Sequence, residues 1–145
     1  MTIKMKPAIR TDDAIIISIW EASVRETHDF LLPGDFEEFK IQLIKYLPLL
    51  DMQLWLDDDV PIGFSAIANQ KLEMFFIAPP YIGQGYGRSI MAHLFSDFAI
   101  KSVDVNEQNA AAVRFYLKQH FEVLSRDERD DGGKPYPILH LGLKA

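Results

Sequence analysis

Apolar and polar residues alternate from Thr2 to Ile9, with Ile3 and Met5 set against Lys4 and Lys6, which predicts a strand. Past it the period changes. Ile16, Ile19, Trp20 and Ser23/Val24 recur at helical spacing behind Thr11-Asp12-Asp13, whose short polar side chains suit a helix cap. A second helix is predicted from Asp35 to Leu47, with Phe36, Phe39, Leu43 and Leu47 on one face and Pro48 at its end. Two strand-like runs follow, "QLWLDD" and "IGFSAIA", joined through Asp58-Asp59-Val60-Pro61, and then a third, "LEMFFIA". After a glycine-rich bend the helical period returns at Ile90, Met91, Leu94, Phe95 and Phe98. "SVDV" reads as a short strand. Asn109 to Gln119 reads as a helix with Val113, Tyr116 and Leu117 on its packing side. Two last strands, "FEVLSRD" and "YPILHLGL", flank a turn at Asp131-Gly132-Gly133. This order predicts an α/β (α+β) fold, a mixed central sheet with helices on both faces.

Size and charge narrow the picture. With 145 residues, 48% of them hydrophobic, the chain can fill one core but not two, so a single domain over residues 1–145 is expected. A net charge of −6 argues against a nucleic-acid or anionic-membrane partner, since both demand a basic face. The absence of cysteine excludes disulfides, thiolate nucleophiles and cysteine-based zinc sites, and no metal is expected. No apolar run is long enough to span a bilayer, and no leader-like segment opens the chain. A cytoplasmic enzyme or binding domain is the expectation.

The bend itself, "APPYIGQGYGRSI", carries the chemistry. Glycines at 83, 85 and 87 stand between an apolar strand and a helix start, where free N–H groups and the positive end of a dipole favour an anion. A dinucleotide fingerprint fails, because Arg88 stands where G-x-G-x-x-G needs its last glycine. A nucleotide P-loop fails at the same residue. What the segment resembles is the acetyl-CoA loop of the GNAT acetyltransferases: Ile77-Ala78-Pro79 leads into Ile82-Gly83-Gln84-Gly85-Tyr86-Gly87, with Ile82 where that family usually has Arg or Gln. A second motif matches independently. Asn109, Ala112, Phe115 and Tyr116 in "NAAAVRFY" follow the family's later helix, and "VNEQN" and "DDGGKPYPILHL" resemble its YjaB-type bacterial branch. His120 stands where the family commonly has glycine; if that place has a positive φ, histidine is among the residues that tolerate it.

The resemblance implies acetyl-CoA as cosubstrate. It lays the diphosphate against the backbone from Gln84 through Gly85, Tyr86, Gly87 and Arg88 to Ser89, with Gly83 and Ile82 leading in. It sets the pantetheine arm against Phe75, Ile77 and Asn109, and the sulfur beside Tyr116. Transfer to an amine requires a neutral nucleophile, a stabilised oxyanion and a proton for the thiolate. With an ordinary pKa of about 10, Tyr116 keeps its proton at neutral pH and is the candidate general acid. Glu73, the carboxylate inside the apolar strand, is the candidate base, and a free N–H at the bulge expected between Glu73 and Ile77 would polarise the carbonyl. Each side chain also has a plainer place, Tyr116 in a core, Glu73 on a solvent face, Asn109 as a helix cap.

His28, Asp29 and Phe30 fall in the segment that walls the acceptor cleft in this family. Without cysteine, direct transfer in a ternary complex is favoured over an acyl-enzyme. The acceptor reads only as a small-molecule or peptide amine, and the chain as a monomer or homodimer. Two other readings stay open at this level: a CoA-binding regulatory domain with weak turnover, and a phosphate-ligand domain unrelated to CoA. The Asp57-Asp58-Asp59 and Asp127 to Asp131 runs read as solvated turns, and His93 and His140 have no evident partner.

Overall fold

Four strands, Ile3–Pro7 (β1), Met52–Asp57 (β2), Val60–Ala68 (β3) and Lys71–Ile77 (β4), pair antiparallel in chain order in the computed structural model, which describes all 145 residues. Tight two-residue turns join the last three. Asp58 and Asp59 (φ +48° and +66°) and Asn69 and Gln70 (φ +52° and +65°) make those turns in left-handed backbone without a glycine, Asp and Asn being the side chains that best tolerate it. Ser102–Asn106 (β5), Phe121–Asp127 (β6) and Ile138–Leu143 (β7) extend the sheet to seven strands in the order β1-β2-β3-β4-β5-β7-β6. Only the β4–β5 junction is parallel.

The helices Asp13–Thr27 (α1) and Pro33–Tyr46 (α2) cover one face, where Ile16, Trp20 and Leu43 pack with Leu54 and Phe64. Tyr86–Phe98 (α3) and Ala110–Lys118 (α4) cover the other, bringing Ile90, Leu94 and Tyr116 against Leu72, Val103 and Leu141. The predicted mixed sheet with helices on both faces is the observed architecture. The period of two along each strand explains it, because alternate residues feed two separate apolar cores.

Two irregularities shape everything that follows. Ala66 pairs with Met74 but Ile67 pairs with Leu72, so Glu73 is the extra residue of a β-bulge. Beyond Lys71–Ser102 and Leu72–Val103 the ladder between β4 and β5 stops, and the two strands diverge. From Glu73 to Ile77 the β5-side edge of β4 is therefore unpaired.

Some local expectations shift. Met5 is exposed and Lys6 half-buried, because Lys6 turns in to pair with Asp12. Asp12 accepts the Ile9 N–H at 2.9 Å and so caps a 3₁₀ turn, Arg10–Asp12, in place of α1 itself. α2 starts two residues early at Pro33, a good first helical residue since its missing N–H has no use there. Leu117 is exposed; Ala112, Val113, Phe115 and Tyr116 make the packing side of α4. Asp57 is no solvated turn residue, for it accepts from the Tyr86 hydroxyl and, at 2.8 Å, from the Thr2 N–H. His120 does adopt the left-handed backbone, at φ +72°.

Candidate functional site

The bend after β4 passes through a 3₁₀ turn, Pro79–Tyr81, and then Gly83 (φ +79°) and Gly85 (φ +87°) before α3 begins. At its ends the amides are used: Ile82 N–H donates to the Pro79 carbonyl at 3.2 Å and Ser89 N–H to the Gly85 carbonyl at 3.1 Å. Between them, the N–H groups of residues 83 to 88 have no acceptor in the protein, so the open run starts one residue earlier and ends one earlier than the sequence suggests. Ile82 thus offers neither a side-chain donor nor a free amide. The side chains of three other loop residues are engaged within the protein: Gln84 donates to the Pro80 carbonyl at 2.7 Å, Tyr86 to Asp57, and Ser89 to Met1 Sδ at 3.3 Å. Arg88 lines the cavity below and is not in an ion pair, the arginine pairs being those of Arg25 and Arg126. Glycine at 87 has a separate reason. A Cβ there would stand 3.2 Å from the Phe115 ring, so its absence lets α3 and α4 close together.

A cavity of about 510 Å³ runs from this loop along the open edge of β4, with Phe75, Phe76 and Ile77 on one wall and Ala112, Phe115 and Tyr116 on the other. Asn109 lines it and also caps α4, its side-chain oxygen accepting the Ala112 N–H at 3.3 Å. Tyr116 is held edge-on between Phe115 and Phe121. Its hydroxyl makes no hydrogen bond, yet no buried side-chain polar atom of the protein lacks a partner, so the hydroxyl opens into the cavity. Burial pushes this phenol well above the usual tyrosine pKa, since the charged form is disfavoured away from water. The arrangement suits a ligand with an anion at one end, a slender chain in the middle and a group needing a proton at the other.

A second cavity, of about 520 Å³, opens on the α1–α2 side of the sheet and shares Phe76 with the first. Glu73 and His28 both line it, so the two acid–base candidates of the sequence, Tyr116 and Glu73, stand in adjoining cavities. His28 Nδ1 lies 2.7 Å from Thr27 Oγ1, which donates its one proton to the Ser23 carbonyl at 2.7 Å. Both contacts are satisfied together only when Nδ1 carries the imidazole proton, leaving Nε2 as a free acceptor. Burial lowers the His28 pKa to about 4, so the ring is neutral at pH 7. Phe30 packs tilted against His28 with ring centroids 5.2 Å apart, Asp29 is exposed, and neither residue lines a cavity.

Local reasoning missed the parts that come from far away in the chain. Lys118, in the last turn of α4, lines the first cavity and reads in the sequence only as a cation suited to a helix C-terminus. Ser23 of α1 donates to the Ile77 carbonyl at 2.8 Å and fixes the end of β4. Tyr136 reaches across from the β6–β7 loop, donating to Asp35 and accepting the Leu32 N–H at 3.2 Å, while Lys134 pairs with Asp35 at 3.1 Å and Glu38 at 2.8 Å. The Tyr136 hydrogen bond, and next to it that from Lys134, hold the Asp35 carboxyl below the usual carboxylate range. These contacts pin two walls of the second cavity together. Tyr136→Phe is expected to raise KM for whatever occupies that cavity about tenfold, the scale of a charge-assisted hydrogen bond, with binding in the first cavity unchanged. Steady-state kinetics varying each ligand in turn checks it.

Comparison with known proteins agrees with this geometry. The family model for the acetyltransferase (GNAT) domain matches residues 36–137. The peptidyl-lysine N-acetyltransferase YjaB of Salmonella typhimurium is 37% identical over 144 residues, covering 97% of this chain and 98% of that protein. The solution structure of apo YjaB from Escherichia coli superposes with a TM-score of 0.90 at 36% identity, covering 98% of this chain and 97% of that one. In fold alone, the PaiA N-acetyltransferase of Thermoplasma acidophilum, solved in complex with coenzyme A, matches with a TM-score of 0.70 at 17% identity over 97% of this chain and 98% of its own. An unpaired strand edge beside a run of open amides, a matching domain model and full-length relatives of this kind lead to one conclusion: the chain belongs to the GNAT family and is an N-acetyltransferase.

Proposed function

We propose that this enzyme transfers the acetyl group of acetyl-CoA to the ε-amine of a peptidyl lysine, directly and within a ternary complex. The observation that carries the reading is the meeting of two cavities at Phe76, one ending in open amides and an unpartnered phenol, the other lined by proton acceptors. The diphosphate lies against the amides of residues 83 to 88, with Arg88 and Lys118 supplying cations to an otherwise acidic protein. The pantetheine arm follows the open edge of β4 past Phe75, with Asn109 alongside. An unpaired N–H of that edge, next to the Glu73 bulge, polarises the thioester carbonyl.

The amine must arrive neutral, since an alkylammonium of pKa about 10 has no lone pair to offer. Glu73 takes its proton, directly or through water. The nitrogen then attacks the thioester carbon, the C–S bond breaks as the Tyr116 hydroxyl gives its proton to the departing sulfur, and the proton that the nitrogen sheds on becoming an amide returns through water to the Tyr116 phenolate. The products are the acetylated amine and CoA with a free thiol. Full-length relatives named as peptidyl-lysine N-acetyltransferases support lysine as the acceptor. The test is to incubate purified protein with acetyl-CoA and lysine peptides, reading peptide mass and free thiol together. Lysine acetylation matched by thiol release is expected; calorimetry showing no binding of CoA or acetyl-CoA would overturn the reading.

A further inference from the structure

The second cavity is far roomier and more apolar than a lysine stem requires. A lysine side chain is an unbranched run of four methylenes that fills a single narrow channel. Here about 520 Å³ is walled largely by aromatic and aliphatic side chains, Trp20, Leu31, Phe39, Met74, Phe76 and Tyr136 among them. That volume lies within the range of roughly 300–1,000 Å³ typical of pockets that engulf a drug-sized ligand. Two polar groups on its walls are turned to partners within the protein, the Tyr136 hydroxyl to Asp35 and the Leu32 N–H, and the His28 Nδ1–H to Thr27, which leaves His28 Nε2 as a free acceptor and Gln42 at the exposed edge. The Tyr136 ring therefore presents mainly its apolar face to the cavity. What carries charge there is acidic, Glu73 from β4 and Asp130 from the β6–β7 loop. An apolar hollow beside two carboxylates, continuous through Phe76 with the reaction cavity, is complementary to a cation that carries a bulky apolar neighbour.

Resting on the lysine-acceptor reading above, we propose that this cavity is a side-chain subsite: it takes an aromatic or branched aliphatic residue adjacent to the acceptor lysine. The enzyme then selects lysines by their apolar neighbour. Burying a Phe or Leu side chain instead of an Ala methyl is expected to favour such a peptide about tenfold in kcat/KM.

The experiment uses the full chain and charge-matched peptides in which the lysine neighbour is Phe, Leu, Ala or Ser. Acetylation kinetics are measured at saturating acetyl-CoA, and binding of the same peptides is measured by calorimetry in the presence of CoA, which needs no turnover. A second arm uses Ala68→Trp. Ala68 lines the cavity from the exposed end of β3, so a large ring there fills the hollow without removing a buried side chain. The expected result is a Phe or Leu preference of about tenfold in both kinetics and binding, reduced to about twofold or less in Ala68→Trp. Equal kcat/KM and equal binding across the four peptides would overturn the subsite while leaving lysine acetylation standing. Preferential binding of the Phe peptide, lost in Ala68→Trp but without acetylation, would uphold the subsite and overturn lysine as the acceptor. Faster acetylation of free aryl-alkyl amines than of any peptide would overturn the peptide-neighbour assignment.

Discussion

Replacing Tyr116 with Phe is expected to lower kcat about a hundredfold, the low end of what a positioned general acid contributes, and to leave the affinity for CoA within about threefold. The structure separates the two effects. The hydroxyl makes no hydrogen bond within the protein, so its loss opens no hole in a network, while the ring stays wedged between Phe115 and Phe121. Thermal stability should therefore barely change. The pH dependence follows from the direction of the shift. Burial raises the phenol pKa, so the proton needed by the thiolate is present through neutral and mildly alkaline pH, and wild-type kcat should show no fall from Tyr116 ionisation between pH 7 and 9. Stopped assays of thiol release across pH, paired with calorimetry for CoA, check all three outcomes. Unaltered kcat would remove Tyr116 from the proposed chemistry.

Gly85→Val is the second large effect. Gly85 holds φ +87° at the start of α3, a region where a β-branched residue is strained by about 1–3 kcal/mol. Relief of that strain swings the neighbouring peptide planes, and the open N–H groups of residues 83 to 88 no longer converge. Affinity for acetyl-CoA is expected to fall about ten- to hundredfold, at 1.4 kcal/mol per factor of ten. Acetylpantetheine, which lacks the diphosphate, provides the control. Its turnover should be nearly the same in wild type and variant, because the β4 edge and Tyr116 are untouched. A parallel loss with both thioesters would mean that the substitution acts on the fold and not on anion binding.

The features legible in the sequence are the ones whose causes lie within one turn or one strand. Alternating glycines ahead of the Ile90-Met91-Leu94 stripe announced a helix opened by a bend, and both positive φ values and free amides stand there. Asn109 and Tyr116 were marked by the resemblance of "NAAAVRFY" to the later helix of the GNAT family, and the structure sets both beside the first cavity. His120 was a candidate for left-handed backbone because it stands, just past a helix, where the GNAT family commonly has glycine. Where the reading slipped, the exact path of the loop or a partner distant in the chain decided the outcome. Ile82 and Ser89 lose their amides to Pro79 and Gly85 through the detailed path of the loop. Asp57 is drawn out of a nominally solvated run by Tyr86, 29 residues on. His140 finds two carboxylates, Asp104 and Asp127, each at 2.7 Å, only because β5 and β6 flank β7; these hydrogen bonds, Asp127 first, raise its pKa.

Periodicity and glycine placement, both properties of neighbouring residues, determined the four α-helices, the mixed sheet with two covered faces and the anion-seeking loop, while the family resemblance marked the phenol on α4. The tertiary structure alone decided that β4 and β5 part after a two-residue ladder, that Glu73 bulges into a different cavity from Tyr116, and that Tyr136 and Asp35, 101 positions apart, close the wall of that cavity. The division has a physical basis. Backbone propensity and side-chain period act over a few residues, whereas a strand's free edge, a cavity wall and a shifted pKa exist only once segments distant in the chain have excluded water between them.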